Sequence, residues 1–243
     1  MSSDLVITLF PCLSDNYGFL IHDPVSGLTA AIDTPDANEI SRQCEMRDWQ
    51  LSHIWNTHHH FDHTGGNLAL KEKWGLEIIG PARDSARIPG LTQAVDGGES
   101  FAFGAHKIAV LDTPGHTKHH NVYYVESADA AFVGDTIFVL GCGRLFEGTA
   151  KQMYDSLAAI CALPDHTRLY CAHEYTLSNA RFAVTVEPEN QDLQAYIAHA
   201  KALREKNVPT VPTTIAAEKA SNPFVRAGSA ESLGKIRAAK DSF

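Results

Sequence analysis

Residues 58–63 read His-His-His-Phe-Asp-His, and they follow an apolar stretch at residues 51–57 that predicts a β-strand. Alternate side chains of an extended segment point to the same side, so His58 and His60 can face one point while His59 faces away. The aspartate and the last histidine lie where the chain turns towards two glycines, and they can reach a second point nearby. Imidazole and carboxylate ligands suit a divalent ion such as Zn²⁺, Fe²⁺ or Mn²⁺, so this stretch predicts a metal site at the end of a strand.

A solvated patch of histidines, or a run that resembles an affinity tag, is the alternative interpretation of these residues. A tag lies at a chain terminus and has no aspartate at this spacing, so we favour the metal site. His59 is the exception within the run, because its side chain points away from its neighbours. We expect His59 to have a structural role or to support the metal ligands.

Three further segments place a histidine or an aspartate at the end of a predicted strand. A histidine lies on the Pro-Gly turn of residues 113–117, an aspartate follows residues 131–133, and another histidine follows residues 169–171. Each is weak alone, because a single histidine is more often a hydrogen-bonded core residue. With His58, His60, Asp62 and His63 they bring the candidates to five histidines and two aspartates, which is enough for two metal ions. The candidate ligands are His58, His60, Asp62, His63, His116, Asp135 and His173.

The chain has 243 residues, of which 44% are hydrophobic and 20% are charged, and this composition is typical of a soluble globular enzyme. A net charge of −9 argues against a nucleic-acid partner. The first residues have neither a basic start nor a long apolar stretch, so we expect no signal peptide and no membrane span. The five cysteines are an odd number and form no CxxC pair, which favours free thiols and a cytoplasmic location.

Strands and helices alternate without a strict βαβ period over the first two thirds of the chain, which predicts a mixed α/β sandwich. From about residue 176 the pattern changes to amphipathic helices at residues 190–205 and 230–240, the latter capped by Ser229. We therefore predict domains at 1–174 and 175–243. The predicted strands are 5–13, 17–22, 27–32, 51–57, 77–80, 100–111, 121–125, 130–133 and 169–172, and the predicted helices of the first domain are 37–46 and 65–74.

The H-x-H-x-D-H motif and the later ligands, in this order, resemble the metallo-β-lactamase superfamily. The resemblance implies an αββα sandwich, with the metal site at one edge of the two sheets and a small C-terminal helical domain added. It also implies how the ligands divide between two divalent ions, for which zinc is our first expectation and iron or manganese the alternatives. One ion takes His58, His60 and His116, the other takes Asp62, His63 and His173, and Asp135 bridges them.

Within the superfamily the whole chain resembles the glyoxalase II family, the hydroxyacylglutathione hydrolases. This resemblance implies cleavage of the thioester of S-D-lactoylglutathione to D-lactate and glutathione, a step of methylglyoxal detoxification. A metal-bridged hydroxide is the implied nucleophile, which Asp62 and Asp135 hold and orient. The segments behind the resemblance are residues 15–17, 56–63, 134–136, 141–148, 173–176, 222–224 and 237–241.

The family resemblance also implies a glutathione site that involves the C-terminal helix. Glutathione has two carboxylates, so its pocket needs cations and amide donors. Arg237 and Lys240 are three residues apart on one helix face, and Arg144 lies on a glycine-rich loop. A solvated helix face is the alternative for the first two. With Tyr175 and the backbone of Arg144, Leu145 and Phe146, these residues form the implied substrate site. We expect the protein to be a monomer.

Three departures from the family pattern affect substrate affinity more than the type of reaction. Phe146 stands where an aromatic hydroxyl is usual, which removes one hydrogen bond to glutathione. Arg144 stands where lysine is usual, which keeps the charge but changes its geometry. Lys118 and His119 replace a pair of small residues.

Other functions are compatible with parts of this pattern. A persulfide dioxygenase with one iron would not need the second set of ligands, and a lactonase would not need Arg237 and Lys240. A non-catalytic metal-binding or redox-sensing module would be expected to use cysteine ligands, and none of the seven candidates is a cysteine. Cys142 could accept an acyl group from its loop, but its flanking glycines favour a packed thiol in a tight turn.

Overall fold

The structure is a computed structural model that describes residues 5–243 of the chain. These residues form two compact units. The first unit contains the described residues up to Asp112 together with the segment from Asn121 to Phe132. The second unit contains the short segment from Thr113 to His120 and all residues from Val133 onwards.

A six-stranded mixed sheet begins the first unit. Its strands follow one another in chain order, the first three antiparallel and the remaining three parallel to the third. Parallel strands end at the same edge of a sheet, so the residues that follow β3 and β4 lie close together. The strands are β1 (Val6–Cys12), β2 (Asn16–His22), β3 (Thr29–Ile32), β4 (His53–Trp55), β5 (Glu77–Pro81) and β6 (Gln93–Val95).

Helices cover one face of this sheet. Ile40 of α1 and Leu70 of α3 are buried in one apolar cluster with Leu20 and Ile54 of the sheet. Asp36 caps α1, since its side chain accepts hydrogen bonds from the first-turn backbone. The helices of this unit are α1 (Ala37–Glu45), the single turn α2 (Phe61–Thr64) and α3 (Asn67–Trp74).

The other face packs on antiparallel strands. The Trp55 ring lies 5.2 Å from Phe101, 5.1 Å from Phe103 and 5.8 Å from Tyr123, between centroids. Trp55 is fully buried, and burial of such a side chain contributes about 1.5–3 kcal/mol or more. The unit therefore has a core between two sheets, with helices outside. The second sheet has six strands, and four of them are β7 (Ser100–Phe103), β8 (His106–Asp112), β9 (Asn121–Val125) and β10 (Ala130–Gly134).

The second unit is mainly helical. Strand β10 ends in it, where the Ala172 amide donates to the Gly134 carbonyl at 3.1 Å. A short hairpin follows, and β13 pairs antiparallel with β14. The further strands of the second unit are β11 (Ile137–Phe138), β12 (Gly141–Cys142), β13 (Arg168–Cys171) and β14 (Thr213–Thr214). Its helices are α4 (Ala150–Cys161), α5 (Thr176–Val186), α6 (Gln191–Glu205), α7 (Ile215–Ser221) and α8 (Ala230–Asp241).

The mixed α/β class is confirmed, and so are the two C-terminal helices α6 and α8. Ser229 caps α8 as predicted, because its hydroxyl accepts from the Ser232 amide at 3.1 Å. Helices α4, α5 and α7 were not predicted from the sequence. Between residues 5 and 243, no helix combines the length and the apolar character that crossing a membrane requires.

Candidate metal centre

The first unit contributes His58 and His60 from the segment that follows β4. His58 is fully buried, and its Nδ1 lies 3.0 Å from the Thr57 hydroxyl. Its Nε2 lies 3.0 Å from Nδ1 of His60, so the two rings converge. His59 points elsewhere, with Nδ1 2.9 Å from Asp84 and Nε2 3.1 Å from Arg87. His59 thus points away from its two neighbours, in a segment that bends after β4.

Asp62 and His63 lie on the single helical turn α2. Nε2 of His63 is 3.5 Å from Oδ2 of Asp62, which also accepts a hydrogen bond from Asn16 at 3.0 Å. Nδ1 of His63 donates to Oδ2 of Asp33 at 2.8 Å. This hydrogen bond fixes the ring and places its lone pair on Nε2, the nitrogen that faces Asp62.

Asp33 supports His63 directly and His58 through Thr57, and it was not predicted from the sequence. It follows β3 in the left-handed region, with φ +57°, which aspartate tolerates better than most residues. Its carboxylate accepts from the Thr57 amide and from the Thr57 hydroxyl, both at 2.8 Å. Because that hydroxyl is a donor to Asp33, it is left to accept from Nδ1 of His58, and Nε2 of His58 then has the lone pair.

We therefore expect Asp33→Asn to weaken metal binding about 10–100-fold, since partners of this kind orient the ligands. Asparagine keeps the size of the side chain, but its NH₂ group is a donor and cannot accept from Thr57 or His63. Competition with a chelator of known affinity measures the effect. Asp48→Asn is the matched control, because Asp48 also has a positive φ, +54°, and lies exposed on a loop. Equal metal affinity in both variants would contradict the role given to Asp33.

The second unit contributes His116, Asp135 and His173, all buried. Oδ2 of Asp135 lies 3.3 Å from Nε2 of His116, and Oδ1 lies 3.5 Å from Nε2 of His173. Nδ1 of His116 donates to the Arg144 carbonyl at 2.9 Å. One carboxylate therefore lies between two imidazoles, one oxygen towards each.

His120 supports Asp135 and was also missed in the sequence analysis. It is fully buried, and its Nε2 accepts a hydrogen bond from the Asp135 amide at 3.2 Å. Its Nδ1 lies 3.0 Å from the Thr113 hydroxyl and 3.2 Å from that of Thr136. Its place four residues after His116 was the only signal in the sequence, and the sequence does not show that it is buried against the Asp135 strand.

The chemistry of both clusters fits a divalent metal. Each of the seven candidate side chains offers one ligand atom, a ring nitrogen or a carboxylate oxygen. Where Nδ1 is the donor, as in His63 and His116, a neutral ring presents a lone pair at Nε2 to a carboxylate oxygen. Two acceptors that face each other repel, and a cation coordinated by both removes this repulsion.

The predicted substrate residues of the second unit lie in different environments. Arg144 and Phe146 are exposed, and the Phe146 ring centroid is 5.3 Å from that of His116. Leu145 between them is half-buried. Tyr175 is half-buried and stacks on His173, with centroids 4.7 Å apart. The loop and Tyr175 thus each contact a candidate metal ligand.

Arg237 and Lys240 do not form a solvated helix face. Arg237 is only 5% exposed, and it donates to the Cys142 carbonyl at 2.8 Å and to Asp241 at 2.9 Å. Lys240 is half-buried and donates to the Ser178 carbonyl at 3.3 Å. Its pKa is lowered, first by burial and then by neighbouring cations, among them Arg237 and Arg144. This concentration of positive charge is suited to an anionic ligand.

Comparisons with known proteins agree with this picture. The family model of the metallo-β-lactamase superfamily matches residues 23–173, and the model of the hydroxyacylglutathione hydrolase C-terminus matches residues 174–243. The hydroxyacylglutathione hydrolase of Maricaulis maris is 56% identical over 92% of this chain and 88% of its own length. That of Hyphomonas neptunium is 48% identical over the full length of both proteins.

Solved structures with the same fold include ETHE1 from Myxococcus xanthus, with a TM-score of 0.72 and 28% identity over 96% of this chain and 90% of that one. TTHA1623 in a di-iron-bound form has a TM-score of 0.63 and 22% identity, and the match covers 90% of this chain and 99% of that one. These matches define a metallo-β-lactamase fold with a C-terminal helical part, and with it a metal-binding protein. The chain belongs to the hydroxyacylglutathione hydrolase family of that superfamily.

Proposed function

We propose that this chain hydrolyses the thioester of 2-hydroxyacylglutathiones, with S-D-lactoylglutathione as the main substrate and D-lactate and glutathione as products. The reaction is a step of methylglyoxal detoxification. The observation that supports it most is the hydrogen bond from Nδ1 of His116 to the Arg144 carbonyl. It connects His116, a proposed metal ligand, to Arg144, whose exposed guanidinium is suited to an anionic thioester.

The proposed centre contains two ions, with zinc first and iron or manganese as alternatives. His58, His60 and His116 would hold one ion. Asp62, His63 and His173 would hold the other, with Asp135 shared between them. Family membership and the geometry of each cluster support this assignment. When bound, the ions supply Lewis acidity and a water of lowered pKa.

The residues of the chain orient the reactants. Asp62 and Asp135 accept hydrogen bonds from the attacking water and direct it to the carbonyl carbon. The leaving group is a thiolate with a free pKa of about 8.5, so protonation by a general acid is not essential. Cys142 is not the nucleophile, because burial raises its pKa to about 12 and leaves almost no thiolate at neutral pH.

The glutathione part would bind through charge and backbone. Arg144 and Lys240 pair with its carboxylates, and the backbone of residues 144–146 and Tyr175 line the site. Arg237 belongs to the same site from beneath the loop, where it holds the Cys142 carbonyl. We propose that residues 1–174 are the catalytic domain and residues 175–243 the substrate-binding domain. We further propose that the protein is a monomer. We also propose a cytoplasmic location, which the five free thiols support.

A direct assay tests the function. The metal-loaded protein is given S-D-lactoylglutathione, and loss of the thioester absorbance is followed. Oxygen uptake with glutathione persulfide and the opening of a simple lactone are followed in parallel. Thioester cleavage that exceeds both other activities is the expected result. Without any thioester cleavage, the proposed function would be wrong.

The cations give a further prediction. We expect Arg144→Ala and Lys240→Ala each to raise KM for S-D-lactoylglutathione about tenfold or more, because a hydrogen bond to a charged group contributes about 1.5–3 kcal/mol. The value of kcat should change little, since these groups contact a part of the substrate that does not react. Lys151→Ala is the control, because that exposed lysine pairs with Asp155 on its own helix. An unchanged KM in both variants would place glutathione elsewhere.

A further inference from the structure

The hairpin that follows Asp135 has an unusual turn. Strands β11 and β12 pair antiparallel and leave two residues, Val139 and Leu140, at the tip. Leu140 has a φ of +59° and is fully buried. Residues with a Cβ rarely adopt this left-handed conformation, because the Cβ crowds a neighbouring carbonyl oxygen. Contacts around the turn must therefore stabilise it.

Glu218 of α7 provides one of these contacts. It has no exposed surface, and its Oε2 accepts from the Leu140 amide at 3.0 Å. Its Oε1 accepts from the Thr213 hydroxyl at 2.7 Å, and Tyr196 donates to that hydroxyl at 3.1 Å. A carboxyl group buried from water is unfavourable unless such donors satisfy it. The network therefore ties Glu218 to the turn rather than to solvent.

Asn222 completes the attachment from the end of the same helix. Its Nδ2 donates to Oε2 of Glu218 and to the Gly141 carbonyl, both at 2.9 Å, and it lies 3.2 Å from the Phe138 carbonyl. Asn179 of α5 donates to the Val139 carbonyl at 3.0 Å. All four residues of the hairpin around the tip thus have a backbone atom bound by a side chain of the C-terminal helices.

The two ends of this hairpin lead to the candidate site. Its first strand begins two residues after Asp135, and Arg144 lies two residues beyond its second strand. The Gly143 amide donates to the Thr136 carbonyl at 3.2 Å, which closes the hairpin at that end. The Arg144 carbonyl then accepts from His116. A displacement of the turn would therefore move both the cation and the carbonyl that orients His116.

We propose that Glu218, together with Asn222, is a positioning residue for the substrate loop: it holds the Leu140 turn and thereby sets the position of Arg144. The inference rests on the proposed function, in which Arg144 binds glutathione. Neither residue is placed in contact with the substrate. What Glu218 supplies is an acceptor at the Leu140 amide.

Two substitutions separate this role from a simple contribution to stability. Glu218→Ala removes the acceptor, and we expect KM for S-D-lactoylglutathione to rise about tenfold, as for loss of Arg144 itself. Glu218→Gln should restore KM to near that of the unmodified protein. Its amide oxygen can accept from Leu140, while its NH₂ donates to Thr213, whose hydroxyl can rotate. Leu193→Ala is the control, because it removes a buried apolar side chain of α6, which cannot hydrogen-bond to the turn.

A double variant tests the path through Arg144. If Glu218 acts by positioning Arg144, Glu218→Ala should raise KM little further when Arg144 is already alanine. Full additivity of the two KM effects would overturn the proposal, as would an unchanged KM in Glu218→Ala or an equal rise in Leu193→Ala. If Glu218→Ala does not fold, Asn222→Ala tests the same attachment by the same KM criterion.

Amide hydrogen exchange tests the positioning role of Glu218 independently of the proposed function. Glu218→Ala should speed amide exchange across residues 137–146, while Leu193→Ala should not. If the unmodified protein fails to cleave S-D-lactoylglutathione, the proposed function is wrong, and exchange alone then decides whether Glu218 orders the loop. Unchanged exchange in this segment would overturn the positioning role.

Discussion

The Asp135→Asn variant is expected to lose bound metal, and its kcat/KM is expected to fall about 10³-fold. The fall follows because loss of the Lewis acid removes several kcal/mol of transition-state stabilisation. The reason lies in the position of the carboxylate. One oxygen lies 3.3 Å from Nε2 of His116 and the other 3.5 Å from Nε2 of His173. An asparagine replaces one oxygen by an NH₂ group, which cannot coordinate a cation and would face one imidazole as a donor.

Metal content per chain, measured by mass spectrometry after dialysis, and kcat/KM for S-D-lactoylglutathione are the two readouts. Asp155→Asn is the matched control, because Asp155 is an exposed carboxylate of the same unit whose partner is Lys151. It should retain metal and turnover. An Asp135→Asn protein with full metal content and full activity would refute the assignment of Asp135 as a shared ligand.

Trp55→Ala is expected to have the largest effect on stability, a loss of about 3–5 kcal/mol, as for other buried aromatic residues cut to alanine. A typical domain has only about 5–15 kcal/mol of unfolding free energy, so the loss is a large part of the total. Trp55 is fully buried, and Phe101, Phe103 and Tyr123 surround its ring. The Tyr123 hydroxyl also donates to the Asn56 carbonyl at 2.7 Å, directly ahead of the histidine segment.

Thermal unfolding measures this effect, with an expected fall in Tm of roughly 10 °C for a chain of this size. Trp49→Ala is the comparison. Trp49 is only half-buried and stacks on His22, with centroids 4.3 Å apart, so its loss should lower Tm much less. Equal shifts in the two variants would mean that the inter-sheet core is less important than its packing indicates.

The sequence predicted those parts of the site in which local backbone geometry decides direction. His59 has other partners than His58 and His60, as residue alternation predicted, although the segment bends after β4 and is not a regular strand. Capping chemistry placed α8 correctly through Ser229. The capping box of Thr149 and Gln152 at the start of α4 offered an equally local signal, which the sequence analysis did not use.

Supporting residues could not be found in the same way. Asp33 and His120 act through hydrogen bonds to groups 30 and 15 positions distant, and those pairings depend on how strands are ordered in the sheets. The burial of Arg237 is a similar case, since its partner at Cys142 lies 95 positions away. Among the proposed ligands and substrate residues, the variants described above test Asp135, Arg144 and Lys240.

The buried thiols of this chain have a consequence for its chemical durability. Burial raises the pKa of all five cysteines, to about 11 for Cys44 and Cys161 and to about 12 for Cys12, Cys142 and Cys171. At neutral pH the nucleophilic thiolate is then about one part in 10⁴ or less. In the proposed function, the protein works alongside a reactive dicarbonyl, an electrophile that alkylates thiolates. This one offers them almost no thiolate to attack.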